Sequence, residues 1–161
     1  MKKILVFSDS HGYKQGVDLL FQRIDEFDYV YFLGDGYGDV IDYQYAFPDK
    51  VEAVTGNGDR YFDIPSVIIN KVEGITFLLT HGNEYHVKDT YQLLLYTAKA
   101  KNVDCVLFGH THFATDFYED NVRFINPGAL GSAYFKGTYS IITVNGENLV
   151  HEKHNVADLY D

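Results

Sequence analysis

The first half of the chain alternates short apolar runs with a stretch of helical periodicity, a pattern that predicts an α/β fold. Residues 4–7 form a continuous apolar run, which is typical of a strand buried on both faces. Apolar residues then recur at helical spacing and predict an amphipathic helix over residues 14–26. Two more buried strands are predicted over residues 29–33 and 51–55, and the glycines between them predict a long surface loop.

The second half of the chain is predicted to be mostly strand, with one further helix. Residues 67–69 and 75–79 have the pattern of an antiparallel pair that turns at Gly74. A stripe of apolar residues predicts a helix over residues 90–101, with Asp89 as its N-cap. Further strands are predicted over residues 103–108, 113–118, 122–125, 139–144 and 149–153. No repeat or linker divides the chain, so we expect residues 1–161 to form a single domain.

Composition and charge limit the classes of partner. With 46% hydrophobic and 22% charged residues, the chain has the makeup of a folded domain and not of a disordered segment. Its formal net charge of −10 would repel a nucleic-acid backbone, because non-specific binding depends on Lys and Arg that neutralise phosphates. We therefore expect a small substrate and no long nucleic acid as partner.

The single cysteine and the length of the apolar segments indicate the compartment. Cys105 lies inside the apolar run 103–108, where we expect a buried thiol without a disulfide partner, as in a reducing compartment. The apolar run after Met1 is shorter than the core of a signal peptide, and no segment approaches the roughly 20 apolar residues that cross a bilayer. These features predict a cytoplasmic protein that does not enter the membrane.

Metal-type side chains follow five of the predicted strands at the point where each strand ends. They are Asp9, His11, Asp35, Asn57, His81, His110 and His112. Loops beyond the carboxyl ends of strands are where ligand sites form in open α/β sheets. Glycines adjoin these residues and permit the tight turns that let short side chains converge. The sequence therefore predicts that five segments deliver ligands to one edge of the fold.

The chemistry of these side chains indicates transition metals. Asp and Asn offer hard oxygen, whereas imidazole suits first-row ions, so calcium is disfavoured. Seven ligands are too many for one ordinary site, but they fit two divalent ions that share a carboxylate, for which we select Asp35. Manganese is favoured, with nickel, iron, zinc and cobalt as the alternatives.

Five ordered motifs carry these ligands along essentially the whole chain. They are Ser8-Asp9-Ser10-His11-Gly12, Gly34-Asp35, Gly56-Asn57-Gly58-Asp59, Thr80-His81-Gly82 and Gly109-His110-Thr111-His112. The set resembles the calcineurin-like metallophosphoesterases, and most closely the small prokaryotic YfcE-type phosphodiesterases. The resemblance implies a four-layer α/β/β/α sandwich of two mixed β-sheets flanked by helices. It also implies metal-dependent hydrolysis of small phosphodiesters, with phosphomonoesters as weaker substrates.

The same resemblance implies a role for each site residue. The first ion would be held by Asp9, His11, Asp35 and His112, and the second by Asp35, Asn57, His81 and His110. A water that bridges the two ions would be the nucleophile, so no side chain is assigned that role. Asn57 and His81 would also contact the substrate phosphate. Asn126, in Asn126-Pro127-Gly128, would support a ligand from behind.

Two positions depart from the pattern of these relatives. Gly58 stands where many relatives have a histidine thought to protonate the leaving group, so substrates with good leaving groups should be favoured. Asn83 stands where related sequences often carry a histidine, and His86, three residues later, is a candidate proton donor in its place. Arg60 is a candidate for holding a phosphate by two parallel hydrogen bonds.

Structural roles are the expectation for several other polar and aromatic residues. His151 and His154 are expected at a solvated strand end, with no functional role. Asp59 either belongs to the metal motif or forms a turn by binding local backbone. The aromatic residues of the loop 34–50 are expected to pack over a sheet edge or to form a subunit interface, which leaves a homo-oligomer open, in preference to recognising a base. They are Tyr37, Tyr43, Tyr45 and Phe47.

Two other functions compete with phosphodiester hydrolysis. A retromer scaffold subunit resembles this fold but has lost parts of the metal set, whereas every ligand is retained here, which favours an enzyme. A nucleotidase or another phosphomonoesterase would use the same metals. A protein phosphatase is disfavoured, because the chain lacks obvious insertions for recognising a folded protein substrate.

Overall fold

Ten strands form two mixed five-stranded sheets in the computed structural model, which describes residues 1–161. The strands are β1 (Lys2–Phe7), β2 (Tyr29–Phe32), β3 (Val51–Ala53), β4 (Val67–Val72), β5 (Ile75–Thr80), β6 (Cys105–Leu107), β7 (Thr115–Glu119), β8 (Val122–Asn126), β9 (Thr138–Asn145) and β10 (Asn148–Asn155). The α-helices are α1 (Lys14–Phe21), α2 (Ile41–Ala46) and α3 (Gln92–Ala100). Short 3₁₀ helices cover Ile24–Glu26, Tyr37–Asp39, Asn83–Tyr85 and Val156–Tyr160.

Strand order places the carboxyl ends of the central strands side by side. The first sheet runs β10-β9-β1-β2-β3, in which β1, β2 and β3 are parallel. The second runs β4-β5-β6-β8-β7, in which β5, β6 and β8 are parallel. Parallel strands of one sheet end on the same side. The loops after β1, β2 and β3 are therefore gathered at one end of the first sheet, and the loops after β5 and β6 at one end of the second.

Successive side chains of a strand point to opposite faces of its sheet, and they pack into three hydrophobic cores that separate four layers. Ile4 and Val6 of β1 lie in the core between the two sheets, whereas Leu5 and Phe7 lie in the core beneath α1. The outer face of the second sheet forms a third core with Leu94 and its neighbours on α3. This arrangement confirms the predicted α/β class and the helix–sheet–sheet–helix order. None of the helices has the length and the apolar character needed to cross a bilayer.

The helices differ from the prediction in three places. Helix α1 ends at Phe21, and the chain tightens into a separate 3₁₀ helix at Ile24–Glu26. The segment predicted as a loop contains α2, which has six residues and buries none of them fully, so it shows no apolar stripe. The predicted cap of α3 is wrong, because Tyr91 occupies the N-cap position and Asp89 lies in the preceding turn.

The strands are found where the apolar runs predict them, with shifted ends. β3 and β6 are shorter than predicted: β3 ends at Ala53, and β6 both begins late, at Cys105, and ends early, at Leu107. β4 and β5 continue to a tight turn at Glu73 and Gly74, so the hairpin is longer than predicted. β7 begins at Thr115, which leaves Phe113 outside the sheet and exposed.

The aromatic loop residues mostly pack against the first sheet, as predicted. Tyr37 is buried, and the Tyr43 ring stacks on Phe21 of α1 at 3.9 Å between ring centroids. Phe47 packs against the same core, whereas Tyr45 is exposed. Three of the four residues therefore pack against the core of the first sheet.

His151 joins the two sheets, so the prediction of a solvated histidine without a role is wrong. Its side chain is only 8% exposed. Its Nδ1 lies 2.9 Å from Asp116 Oδ2 on β7 of the second sheet, and its Nε2 lies 2.8 Å from the Ser140 hydroxyl on β9 of the first. Arg123 completes the network by donating to both oxygens of Asp116, at 2.9 and 2.8 Å. His154 is half-buried and stacks on Tyr139, with 5.4 Å between ring centroids.

Candidate metal centre

The gathered loops bring six of the seven predicted ligands into two adjacent groups. One group is Asp9, His11 and His112, and the other is Asp35, His81 and His110. Within each group, one potential ligand atom of each residue lies within 4.8 Å of the others. Asn57 is exposed on the loop after β3, beside Gly58, whose N–H donates to Asp35 Oδ1 at 2.7 Å. That loop therefore lies against the second group, although no contact of the Asn57 side chain with it is seen.

Asp9 presents one free carboxylate oxygen to the centre. Its Oδ2 accepts hydrogen bonds from the Ser8 hydroxyl at 2.5 Å and from the His110 N–H at 3.2 Å. Its Oδ1 is buried and has no hydrogen-bond donor, yet it lies 3.2 Å from His112 Nε2 and 3.5 Å from His11 Nε2. A buried carboxylate oxygen without a partner is costly, and a cation at this point would satisfy it.

The histidine nitrogens turn towards the same centre. His81 Nδ1 donates to the Leu33 carbonyl at 2.8 Å, so its Nε2 offers a lone pair to the site. That Nε2 lies 3.3 Å from Asp35 Oδ2 and 3.2 Å from His110 Nδ1. His11 Nε2 and His112 Nε2 face each other at 3.4 Å. Facing imidazole nitrogens and carboxylate oxygens are the ligands of divalent transition metals, so the donor set fits such ions.

For Asp35 and His110, electrostatics favour the protonation states in which these residues bind metal. Burial raises the pKa of Asp35, but hydrogen bonds with His81 and Gly58 outweigh it and lower the pKa to about 2. Burial lowers the pKa of His110, and the charges of His81 and Lys88 lower it further. At neutral pH the Asp35 carboxylate is therefore ionised and the His110 imidazole neutral, the forms that metal binding requires.

Burial alone would lower the pKa of His81. The hydrogen bond with Asp35 and the charges of Asp9 and Asp35 act more strongly, so the pKa of His81 is raised. The two carboxylates thus attract a positive charge to the point where His81 Nε2 lies.

Unusual backbone conformations are concentrated among the predicted ligands. Ten residues other than glycine have a positive φ, and five of them are Asp9, His11, Asp35, His110 and His112. The left-handed region is unfavourable for side chains with a Cβ, and such strain collects at functional sites. These turns aim short side chains from separate loops at one centre.

Asp59 holds the loop that carries Asp35. It is 96% buried, and its carboxylate accepts four backbone N–H groups. The donors are Asp35 at 2.7 Å, Gly36 and Tyr37 at 3.0 Å, and Gly56 at 2.9 Å. Of the two roles left open by the sequence, backbone binding is therefore the one observed. The bond from Gly56 is the local turn contact that the sequence predicts, whereas the other three reach the loop after β2, which no local sequence signal reveals.

Two other polar residues hold ligand loops. Asn126 is fully buried, and its Nδ2 donates to the Gly109 carbonyl at 3.1 Å and to the Thr111 hydroxyl at 3.0 Å. It thus supports the loop of His110 and His112 from behind. Asp39, which sequence reasoning missed, accepts the Ser10 hydroxyl at 2.7 Å and the Gly12 N–H at 2.8 Å, on the two sides of His11.

Comparison with known proteins gives the family. The calcineurin-like phosphoesterase superfamily domain matches residues 1–148. The chain belongs to this superfamily. It is 26% identical over 147 residues to the probable metallophosphoesterase YsnB of Bacillus subtilis, covering 89% of this chain and 85% of that protein. It is 31% identical over 135 residues to a probable metallophosphoesterase of Mycoplasma pneumoniae, covering 81% of this chain and 80% of the relative.

Solved structures share the calcineurin-like fold. A predicted phosphoesterase of Streptococcus pneumoniae matches with a TM-score of 0.82 at 23% identity, over 97% of this chain and 90% of that one. Vps29 of Entamoeba histolytica in complex with Zn²⁺ matches with a TM-score of 0.73 at 18% identity, over 96% and 99%. An archaeal phosphodiesterase matches with a TM-score of 0.69 at 21% identity, over 94% and 99%. At these identities the likeness establishes the fold alone.

No hydrogen bond or ion pair joins Arg60 or His86, which have predicted substrate roles, to the two ligand groups of this calcineurin-like site, whereas the Gly58 N–H donates to Asp35. Arg60 is exposed on the loop after β3, and no ion pair engages it. His86 is exposed and has a left-handed backbone after the 3₁₀ helix Asn83–Tyr85. Gly58 helps to line a cleft of about 330 Å³ together with His11, Asp35 and Phe62, and a Cβ at this position would meet Asp35 Oδ1 at 3.2 Å.

Proposed function

We propose that this chain hydrolyses small phosphodiesters at a centre of two divalent transition-metal ions. The observation that carries the proposal is the pair of facing ligand groups with the unpartnered oxygen of Asp9 between them. When bound, two such ions supply an activated water as nucleophile and positive charge for the phosphate oxygens. Manganese is the ion we propose first, with nickel, iron, zinc and cobalt as the alternatives.

Ligand positions support a division of the seven residues between two ions. Asp9, His11 and His112 would hold one ion, and His81 and His110 the other. Asp35 is the proposed shared carboxylate. His81 and His11, which belong to different groups, both lower the pKa of Asp35, so its carboxylate is within electrostatic reach of each. Asn57 would complete the second set by turning its amide oxygen inward from the exposed loop.

The surrounding chain orients the side chains of the proposed ligands. Ser8 and the His110 backbone hold Asp9 with one oxygen towards the centre, and the Leu33 carbonyl fixes the lone pair of His81. Asp9 and Asp35 bring only two negative charges, so the loaded site would attract an anionic phosphate in spite of the acidic surface. Asn57 and Arg60, both exposed on the loop after β3, are the proposed phosphate contacts together with His81.

The preference for diesters with good leaving groups rests on Gly58. No imidazole stands at this position to protonate the leaving oxygen, and general acid catalysis typically contributes about 10² to 10⁴ in rate. His86 is the proposed substitute. Its side chain is exposed and unengaged, so it would have to turn towards a bound substrate to donate a proton.

The test is hydrolysis of bis-p-nitrophenyl phosphate by chelator-treated protein before and after Mn²⁺ is added, with the monoester p-nitrophenyl phosphate for comparison. The proposal expects activity that returns with metal, is higher on the diester and is lost in Asp35→Asn. Higher activity on the monoester would support a phosphomonoesterase instead. Metal binding without hydrolysis of either substrate would support a protein-binding scaffold.

A further inference from the structure

A second cleft opens beside the metal centre and outside the ligand set. It has a volume of about 460 Å³, within the range of small-molecule sites. The lining residues are Val87, Lys88, Tyr91, Thr111, Phe113 and Thr115. Thr111 and Phe113 flank His112, and Thr111 directly follows His110, so the cleft adjoins both ligand groups. A substrate phosphate at the centre would therefore have this cleft as room for one of its ester groups.

The floor of the cleft is preformed. Val87 is buried and packs so closely on Gly82 that a Cβ there would come within 2.8 Å of Val87 Cγ2. The Tyr91 ring packs on Phe108 and Phe117, at 5.4 and 5.1 Å between ring centroids. Such packing fixes the walls before a ligand arrives, which reduces the ordering cost of binding.

The rim of the cleft carries an exposed aromatic ring and a cation that forms no ion pair within the protein. Phe113 is 75% exposed, although its N–H is held by the Thr111 hydroxyl at 3.2 Å. Lys88 is exposed, lines the same cleft as Thr111 and Phe113, and takes part in no ion pair. A planar ring and a positive charge at one cleft suit a ligand that is both aromatic and anionic.

We propose that this cleft binds a nucleoside monophosphate unit of the substrate, with the base against Phe113 and its phosphate near Lys88. The substrates would then be short dinucleotides that carry a terminal phosphate. This inference rests on the proposed phosphodiesterase function and specifies its substrate class. Water would add across one ester bond: its oxygen joins phosphorus as the bond to the 3′ oxygen breaks, and that oxygen takes up a proton, for which His86 is the proposed donor. A net charge of −10 agrees with short substrates, because it disfavours a longer polyanion.

The test compares the adenylyl dinucleotides pApA and ApA, which differ only by the terminal phosphate. The measured quantity is the ratio of their kcat/KM values in the Mn²⁺-loaded protein, in Lys88→Ala, and in Lys71→Ala, which removes an exposed charge on β4. Lys88→Ala should lower the ratio about threefold to fivefold, the size expected of an exposed ion pair, and Lys71→Ala should leave it unchanged. Phe113→Ala should lower kcat/KM for both dinucleotides about tenfold relative to methyl p-nitrophenyl phosphate, which has no base.

A binding measurement gives a readout that does not depend on metal or turnover. Titration of chelator-treated protein with adenosine monophosphate should shift the backbone amide NMR signals of residues 87–91 and 111–115, and Lys88→Ala should weaken that binding. Hydrolysis of methyl p-nitrophenyl phosphate together with an unchanged ratio in Lys88→Ala, or amide shifts elsewhere, would overturn the inference alone. Failure of the metal-loaded protein on every diester would overturn the proposed function and this inference with it.

Discussion

Asp59 binds the backbone of two neighbouring loops with both of its carboxylate oxygens, although it is not a predicted ligand. Its Oδ2 accepts the N–H groups of Asp35 and Gly56, and its Oδ1 those of Gly36 and Tyr37. A single acceptor thus fixes the loop that carries the proposed shared carboxylate and the loop that carries Asn57. At the scale of single residues, the ligands depend on such backbone anchors for their positions.

Replacement of Asp59 by Asn keeps the shape of the side chain but turns an amide NH₂ towards two backbone donors. We expect the free energy of unfolding to fall by about 2–3 kcal/mol, because buried donors lose their acceptor, and Mn²⁺ affinity to fall by about tenfold or more. Urea unfolding and metal titration measure the two effects. Asp63→Asn, four residues along at an exposed position, is the matched control. Equal stability of the two variants would contradict the anchoring role.

Gly58 offers a test of the missing proton donor. A Cβ at this position would meet Asp35 Oδ1 at 3.2 Å, a tight contact that a small shift relieves. Gly58→His should raise kcat for diesters with alkyl leaving groups by about tenfold or more and should leave p-nitrophenyl esters nearly unchanged. Gly58→Ala has the same crowding without the imidazole. Equal rates for the two variants on alkyl esters would show that the histidine supplies no proton.

At the scale of elements, the sequence predicts the strands and helices that leave a local pattern of apolar residues. β1 and β2 are buried on both faces and therefore appear as continuous apolar runs. Helix α2 was missed, because a six-residue helix with no fully buried residue has no apolar stripe to detect. The prediction of Asp89 as the cap is wrong, because Tyr91 occupies the N-cap position of α3 and the Thr90 hydroxyl accepts the Gln92 N–H at 3.3 Å.

The site shows the same division between local and long-range information. Motifs that follow apolar strands predict seven ligands, and the structure brings six of them together. Asp39 and His151 act through partners 27 and 35 residues away: the first contact needs β1 and β2 side by side in one sheet, and the second needs the two sheets packed together. The sequence offers no local signal for either, and the role of Asn57 as a ligand stays a prediction.

The Asp116 network between the sheets predicts a dependence of stability on pH. Hydrogen bonds from Arg123 lower the pKa of Asp116, burial opposes them, and His151 adds to the lowering. A carboxyl with a depressed folded pKa stabilises the fold above its unfolded pKa, about 3.9, and loses that effect as the pH falls through the folded value. Asp116→Asn should therefore cost about 1–2 kcal/mol at pH 7, with the deficit shrinking below about pH 4.

Urea unfolding of the Asp116→Asn protein across this pH range measures the deficit. Asp120→Asn is the matched control, because Asp120 pairs with Lys99 at the surface, where a salt bridge contributes little. A deficit that stayed constant from pH 7 to pH 3 would show that the ionised carboxylate is not what joins the sheets.

At the scale of the whole molecule, the proposed centre lies where the loops of both sheets meet. Ligands from β1 and β2 belong to one sheet, and those from β5 and β6 to the other. Bound metal would therefore connect the two sheets across the sandwich, and only the folded chain can offer the full set of ligands.

Metal binding should accordingly raise the melting temperature. A ligand at a hundred times its dissociation constant adds about 2.7 kcal/mol of stability, which corresponds to about 5–10 °C in Tm for a chain of this size. Differential scanning calorimetry with and without Mn²⁺ measures the shift. Asp35→Asn should reduce it strongly, and a shift of the same size in that variant would place the metal elsewhere.

The most direct test of the account is a titration of chelator-treated protein with Mn²⁺ in which hydrolysis of bis-p-nitrophenyl phosphate and bound metal are followed together. A centre of two ions predicts that activity rises as the second equivalent per chain binds and then stays level. Two bound equivalents without hydrolysis, or full activity with a single bound ion, would contradict it.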